Sequence, residues 1–329
     1  MNVMEHPVFR RFWYPVISLD ALKEGPKRFV LMGQPLALFL DSQGEPAALE
    51  DRCCHRSAQL SLGEVCGDAI ACPYHGWEYN REGQCVRVPQ MPDRDPGRAR
   101  RVKAFRCAPR YGYAWVALDE PLYEIPDIPE AHEPNFHLLH EFYETWQVSG
   151  LRVMENELDM AHPSYVHLGT FGSPEHLVAE DAKIEEFPGG FHYTGRLGVK
   201  QAHHAQTEEN ERRLDCTWYV PFICRLRINY PDGPAHVIIN CQVPVDDRHS
   251  QVVQFCFQED QGEGFDADSI IAYDRRVTLE DKRILESTDP NVPLDPHGER
   301  HMQSDKPGLV MRQIVQRLID EHESTAPAA

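Results

Sequence analysis

The sequence predicts an α+β chain of two domains. An all-β domain occupies residues 1–120, and a mixed domain over 121–329 sets helices on an antiparallel sheet. Three observations predict this. Short apolar runs separated by turn residues fill the first third of the chain, and Pro121, Pro126 and Pro129 then fall close together. Beyond them come several longer β runs in succession, closed by two helical stretches.

Residues 29–33 (FVLMG) and 35–41 (PLALFLD) read as two strands. Ser42, Gln43, Gly44 and Glu45 make a turn before PAALE at 46–50. AIAC at 69–72 and QCVRV at 84–88 flank a turn at Arg81, Glu82 and Gly83, and residues 105–118 hold two more strands around Arg110. Strands at a spacing of about 8–12 residues suit a small sandwich or barrel with functional loops. In the second domain, residues 154–160 lack Gly and Pro and are expected to be helical up to Pro163. Strands follow at 191–197, 212–220, 222–230, 235–245 and 250–258, and an acidic loop at 259–268 leads on to helices at 272–287 and 307–321. The first of these helices carries Tyr273, Val277, Asp281, Ile284 and Leu285 at helical spacing, the pattern of a core face. A carboxylate on such a stripe must be paired, hydrogen-bonded or bound to metal.

The 329 residues include 33 Lys and Arg against 52 Asp and Glu, a formal net charge of −19. Phosphate backbones and anionic lipid repel such a chain, so nucleic acid is excluded as the expected partner. No run approaches the roughly 18 apolar residues of a membrane span, and the first residues lack a signal-peptide pattern. A cytoplasmic chain is expected. Ten cysteines in a chain this long do not read as a secreted disulfide framework. Six of them, Cys53, Cys54, Cys66, Cys72, Cys85 and Cys107, share one segment.

In that segment Cys53 and His55 form a Cys-x-His pair, and after sixteen intervening residues Cys72 and His75 form a Cys-x-x-His pair. Two such pairs suit one zinc ion or an iron–sulfur cluster. The usual zinc spacings are absent. One thiolate and one imidazole per arm instead suit a [2Fe–2S] cluster with two Cys on one iron and two His on the other. Trp77 is placed to cover one side, and Tyr79 to donate its hydroxyl to a cysteine sulfur. Cys54, Cys66 and Cys85 have no partner in spacing and are expected to be inert buried thiols.

A second constellation lies at 152–169, RVMENELDMAHPSYVHLG. On one helix Asn156, Asp159 and His162 share a face, while His167 is rotated away unless the chain bends at Pro163. Two histidines and one carboxylate make the facial triad of a non-haem iron oxygenase, with positions left open. Asp281 is the best candidate for the carboxylate; Glu280 and Glu286 are the alternatives.

Both constellations, in this order, resemble the Rieske non-haem iron oxygenases, most of all the branch with vanillate and dicamba O-demethylases, pheophorbide a oxygenase and saxitoxin-pathway hydroxylases. C53-C-H55 and C72-P-Y-H75-G-W77 match that family's cluster motif. N156-E-L-D159-M-A-H162-P-S-Y-V-H167 matches its iron motif, and L279-E280-D281-K282 its late acidic pair. The resemblance implies a Rieske [2Fe–2S] domain followed by a helix-grip catalytic domain. It assigns Cys53, His55, Cys72 and His75 to the cluster, and His162, His167 and Asp281 to a mononuclear Fe(II). It makes Asp159 the carboxylate bridging the two centres and Asn156 a polar neighbour of the iron. Cys54 departs from the proline usual there. Ala58 and Tyr74 replace the disulfide cysteines of respiratory Rieske proteins, which disfavours that class.

The implied activity is hydroxylation of a C–H bond, or oxidative demethylation, of a small or medium organic substrate with O₂. Aromatic cis-dihydroxylation is the alternative, and an electron-transfer Rieske protein, which needs only the first constellation, is the rival from another class. No dinucleotide fingerprint is present, so electrons are expected from a separate ferredoxin or flavin-dependent reductase. Seven Lys or Arg between Arg94 and Arg110 offer such an acidic partner a landing site, or are simply a solvated face. The resemblance also implies a homo-oligomer, a trimer, in which a neighbour's cluster serves each iron. Phe222, Arg225, Tyr230, Asn240 and Tyr273 are the candidate pocket residues.

Overall fold

The computed structural model describes residues 6–175, 177, 180–198, 211–230, 233–260, 265–289 and 292–325. It divides into two compact units: Phe9–Ile125, and the chain from Pro126 onward, which residues 6–8 join. The architecture is the expected α+β, all-β first and sheet with helices second.

The first unit contains β1 (Tyr14–Ser18), the short α1 (Leu19–Leu22), β2 (Lys27–Leu31), β3 (Gln34–Leu40), β4 (Pro46–Glu50), β5 (Glu64–Cys66), β6 (Ala69–Ala71), β7 (Glu78–Asn80), β8 (Cys85–Arg87), β9 (Ala104–Arg110) and β10 (Tyr113–Ala117). One sheet runs β1-β10-β9-β4-β3-β2 and a smaller one β5-β6-β7-β8. Phe39, Leu49, Leu60, Ile70 and Tyr79 form an apolar core that also takes in the thiols of Cys53 and Cys72. The cysteine-bearing loops are therefore anchored in packed side chains and not in solvent.

The second unit opens with β11 (Phe136–Trp146), α2 (Gly150–Leu158) and a single turn, α3 (Pro163–Val166). It continues through β12 (Glu180–Phe187), β13 (Gly190–Gly198), β14 (Glu211–Tyr219), β15 (Ile223–Asn229), β16 (His236–Pro244) and β17 (Ser250–Glu259) to α4 (Ala267–Leu285) and α5 (Lys306–Thr325). The strands form one antiparallel sheet, β11-β17-β16-β15-β14-β13-β12. Strand β17 is buried on both faces from Ser250 to Gln258, with Val252, Val253, Phe255, Cys256 and Phe257 at its centre. Helix α4 lies against β11 and α2 against β16. Part of the acidic loop, residues 261–264, lies outside the described residues. No helix among the described residues is long and apolar enough to cross a membrane.

Candidate metal centres

The first constellation occupies two loops built alike. The Cys53 N–H donates to Ala58 O at 2.8 Å and the Ser57 N–H to Cys53 O at 2.9 Å; in the other loop the Cys72 N–H donates to Trp77 O at 2.8 Å and the Gly76 N–H to Cys72 O at 2.9 Å. The fifth residue of each turn is left-handed, Ser57 at φ 61° and Gly76 at φ 70°. At Gly76 a Cβ would also lie 3.1 Å from Pro89 Cγ, so glycine is needed twice over. Asp51, buried beneath the first loop, accepts from the Ser61 N–H and Oγ, both at 2.8 Å.

Cys53 and Cys72 are each 3% exposed, whereas His55 and His75 reach the surface with ring centroids 4.6 Å apart. Trp77 stacks on His55 at 4.5 Å, and the Arg100 guanidinium lies 5.6 Å from the indole centroid. The Tyr79 hydroxyl is 3.1 Å from Cys53 Sγ and 3.3 Å from Cys54 Sγ, and its burial raises the phenol pKa. Burial also raises the Cys72 thiol pKa. Two inward sulfurs and two outward imidazoles, with a hydroxyl aimed at sulfur, fit a cluster with thiolates on its inner iron. Of the three thiols expected to be buried and inert, only Cys85 is buried; Cys54 and Cys66 are exposed, because they stand on a loop and on an edge strand.

In the second constellation the helix is shorter than the sequence suggests. Ser149 caps α2, its Oγ accepting from the Arg152 N–H at 3.3 Å. The helix stops at Leu158, and Asp159 is already extended at φ −87° and ψ 120°. The cause is local: Asp159 Oδ1 accepts the Ala161 N–H at 2.8 Å, a turn bond that competes with helix. Asn156, Asp159 and His162 therefore do not share one helical face, and the bend precedes Pro163. His162 and His167 instead bracket α3. Gly172 closes this turn, its N–H donating to His167 O at 2.7 Å, and a Cβ there would lie 2.1 Å from Pro163 O.

Donor atoms of His162, His167 and Asp281 converge within 4.8 Å. His162 Nε2 is 3.5 Å and His167 Nε2 3.4 Å from the Asp281 carboxylate oxygens. Asn156 Nδ2 donates to Asp281 Oδ1 at 3.1 Å. Of the alternative carboxylates, Glu280 stands behind His167, 3.0 Å from Nδ1, and accepts from Thr170 Oγ1 at 2.9 Å. That contact puts the ring proton on Nδ1 and leaves the Nε2 lone pair for the site. Glu286 accepts from the Gln147 N–H at 3.0 Å. The Asp159 carboxylate does not hydrogen-bond the His162 ring: its Oδ2 is 3.8 Å from Nδ1.

Burial, with a smaller effect from His167, lowers His162 to about 3, and burial raises Asp281 to about 7. A neutral imidazole beside a carboxyl held back from ionising is a donor set that a divalent cation completes. Metal entry must then displace a proton from Asp281 and none from His162 above pH 3. Affinity for Fe(II) is expected to be full above pH 7 and to fall by about tenfold per unit below it. Anaerobic titration of metal-depleted protein at pH 6 and pH 8 checks this; equal affinity at both would contradict it.

The converging donors open into a cavity lined by Asn156, Asp159, Phe171, Tyr230, Asn240 and Tyr273 among others. Phe222 and Arg225 do not line it. Phe222 packs in the interior, and Arg225 is held by Glu130 and Asp215. The α4 stripe is a cavity wall, with Tyr273, Val277 and Asp281 lining it and Ile284 41% exposed. The cavity also presents Glu157, His236 and Asp274, which sequence reasoning missed. Asp274 carried a readable signal, because it precedes Asp281 by two helical turns on one face.

Residues 12–106 match the family model of the Rieske [2Fe-2S] domain, and residues 146–321 that of the vanillate O-demethylase oxygenase C-terminal domain. Fold and site together define an O₂-dependent oxidoreductase in which an iron–sulfur domain serves a mononuclear iron. Methylxanthine N1-demethylase NdmA of Pseudomonas putida is 30% identical over 335 residues, covering 98% of this chain and 93% of the relative. The chain belongs to the Rieske non-haem iron oxygenases. Methylxanthine N3-demethylase NdmB of Pseudomonas putida is 29% identical, covering 85% and 82%. The structure of Pseudomonas putida CBB5 NdmA with caffeine matches with a TM-score of 0.86 at 28% identity, covering 98% and 94%. The cofactors are a Rieske cluster and a mononuclear iron at the catalytic site.

Proposed function

We propose that this chain hydroxylates a C–H bond or oxidatively demethylates a small or medium organic substrate, drawing electrons from a separate ferredoxin or flavin-dependent reductase. In this reading Cys53, His55, Cys72 and His75 hold the cluster, and His162, His167 and Asp281 hold the iron. The convergence of those last three side chains at the wall of a cavity carries the reading. When bound, the metals relay single electrons and activate O₂. Asn156 orients the Asp281 carboxylate, Glu280 fixes the His167 ring, and Phe171, 4.9 Å from that ring, shields it from water. The demethylase relatives favour loss of a methyl group as formaldehyde. Incubation with a surrogate reductase and a panel of methylated substrates, following formaldehyde, tests the reading; O₂ uptake without oxidised product from any substrate would count against it.

The basic run supports an acidic electron donor, since Arg94, Arg98, Arg101, Lys103 and Arg106 are exposed and Arg100 leans on Trp77 beside His55. Ten cysteines with no disulfide among them suit a reducing cytoplasm. Asp159, only part-buried, is a candidate to accept a hydrogen bond from the exposed His55 or the half-buried His75 of a neighbouring copy, which makes the working unit a closed ring, a trimer. Asp159→Asn is then expected to leave both metals and assembly intact while slowing single-turnover reoxidation of the reduced cluster by more than about tenfold, or about 1.4 kcal/mol. Unchanged reoxidation, or a fully active monomer by light scattering, would remove the intersubunit route.

A further inference from the structure

Building on that reading, we infer that the substrate is an organic cation, with its charge held at the cavity wall away from the carbon that is oxidised. Besides Asp281, the cavity is lined by Glu157 of α2, by Asp159 just beyond that helix and by Asp274 of α4, and among the described residues no Lys or Arg lines it. Glu141 of β11 stands behind Asp274: donor atoms of Glu141, His236, Cys256 and Asp274 lie within 4.8 Å of one another. An Fe(II) held by two neutral imidazoles and one carboxylate leaves one net positive charge, against the three further lining carboxyl groups of Glu157, Asp159 and Asp274; Glu141 adds no charge, because burial and the neighbouring Asp274 hold it protonated. Away from the iron, a carboxylate or sulfonate substrate would find no Lys or Arg to pair with among the described residues, and an unpaired buried charge is strongly disfavoured.

Hydrogen-bonding capacity points the same way. Asn240 is 6% exposed and lines the cavity; its Nδ2 donates to Glu157 Oε2 at 2.8 Å, and its buried Oδ1 has no partner among the described residues. That unmet atom is an acceptor and calls for an N–H. His236 and Asp274 hold one proton between them. Gln258 donates its amide N–H groups to Ala235 O and Glu259 O, so its Oε1, 2.7 Å from His236 Nδ1, accepts the ring proton. His236 Nε2 then faces Asp274 Oδ2 at 2.9 Å, a contact that needs a proton between the two atoms, and a bound ammonium takes that proton's place. Tyr230 and Tyr273 add aromatic wall, which suits an ammonium group. Burial raises Glu157 to about 7, and an adjacent cation would favour its charged form.

For an O-methyl substrate the balance is conventional. One methyl C–H becomes C–OH using O₂, two electrons from the reductase and two protons, and the second oxygen atom leaves as water. The hemiacetal then splits into formaldehyde and the free hydroxyl, while the ammonium is untouched.

The test uses holoprotein and three probes that differ only opposite the methoxy group: 4-methoxybenzylammonium, 4-methoxytoluene and 4-methoxybenzoate. Calorimetry should show the ammonium binding at least about tenfold tighter than the carboxylate. Glu157→Gln and Asp274→Asn should each weaken the ammonium by about fivefold or more and the neutral ether by less than about twofold. If Asp274→Asn disturbs folding through its His236 contact, Glu157→Gln decides alone. Equal binding, tighter carboxylate binding, no binding of either, or an equal loss for the ether overturns the inference. Formaldehyde from the ether or carboxylate but not the ammonium would also overturn it and leave the oxygenase reading standing. Preferential ammonium binding with no O₂-dependent product from any probe would support the charge preference and defeat the assigned reaction.

Discussion

Asp281→Ala is expected to lose its mononuclear iron and its turnover while keeping the visible spectrum of the cluster. Losing an outer-shell partner of a metal site costs about 10–100-fold in affinity, and removing a direct ligand should exceed that. Neither neighbouring carboxylate can substitute. Glu280 is engaged by His167 and Thr170, and Glu286 by the Gln147 backbone. The loss also frees Asn156, whose amide donates to Asp281 Oδ1. Iron and acid-labile sulfide analysis reads the result directly: iron should fall to the content of the cluster alone. Full iron retention with full turnover would move the assignment to Glu280 or Glu286.

Cys72→Ala is expected to do the reverse. It should bleach the visible band, stop electron delivery and so drop turnover to background, yet leave Fe(II) binding in the second unit unchanged. Cys72 is 3% exposed, and its side chain belongs to the same apolar core as Ile70 and Tyr79. A cluster held by packed side chains contributes its binding free energy to folding. The thermal transition of the first unit should fall, and fall more than removing a small buried side chain alone would explain. An unshifted transition with retained absorbance would exclude Cys72 as a ligand. Together the two variants separate the centres, each losing one and keeping the other.

Interior strands were legible in the sequence and edge strands largely were not. Strands β15, β16 and β17 have sheet neighbours on both sides and read as apolar runs. Strands β11 and β12 are the two edges of that sheet, carry His137, His140, Glu141, Glu185 and Glu186, and went unread. Charged edges protect against sheet-to-sheet pairing, and the same charges erase the apolar pattern. β1 and β5, likewise edges, were missed because they are short: β1 has five uncharged residues with a proline at its second position, and β5 is only three residues long. In the site, spacing brought forward the residues whose chemistry is metal binding. It could not show the break at Asp159, which depends on a side chain bonding to backbone two residues on. Nor could it show Glu280 as the partner of His167, or Glu157, His236 and Asp274 as cavity groups, because they meet only through sheet and helix packing.

The pairing of Asp274 with Asp281 on one helix gives α4 the role of a gauge. Seven residues of helix advance about 10.5 Å, and the two carboxyl groups sit on one face at that pitch. A rigid rod thus sets the interval between the anchoring point and the reacting point, so molecules should be sorted by length as well as by charge. Along a homologous series in which methylene units separate ammonium from aryl ether, turnover should pass through an optimum and decline on either side. Inserting one residue between the two aspartates would turn one of them about 100° off the shared face. The scale would be lost altogether, and with it the choice of which carbon is oxidised.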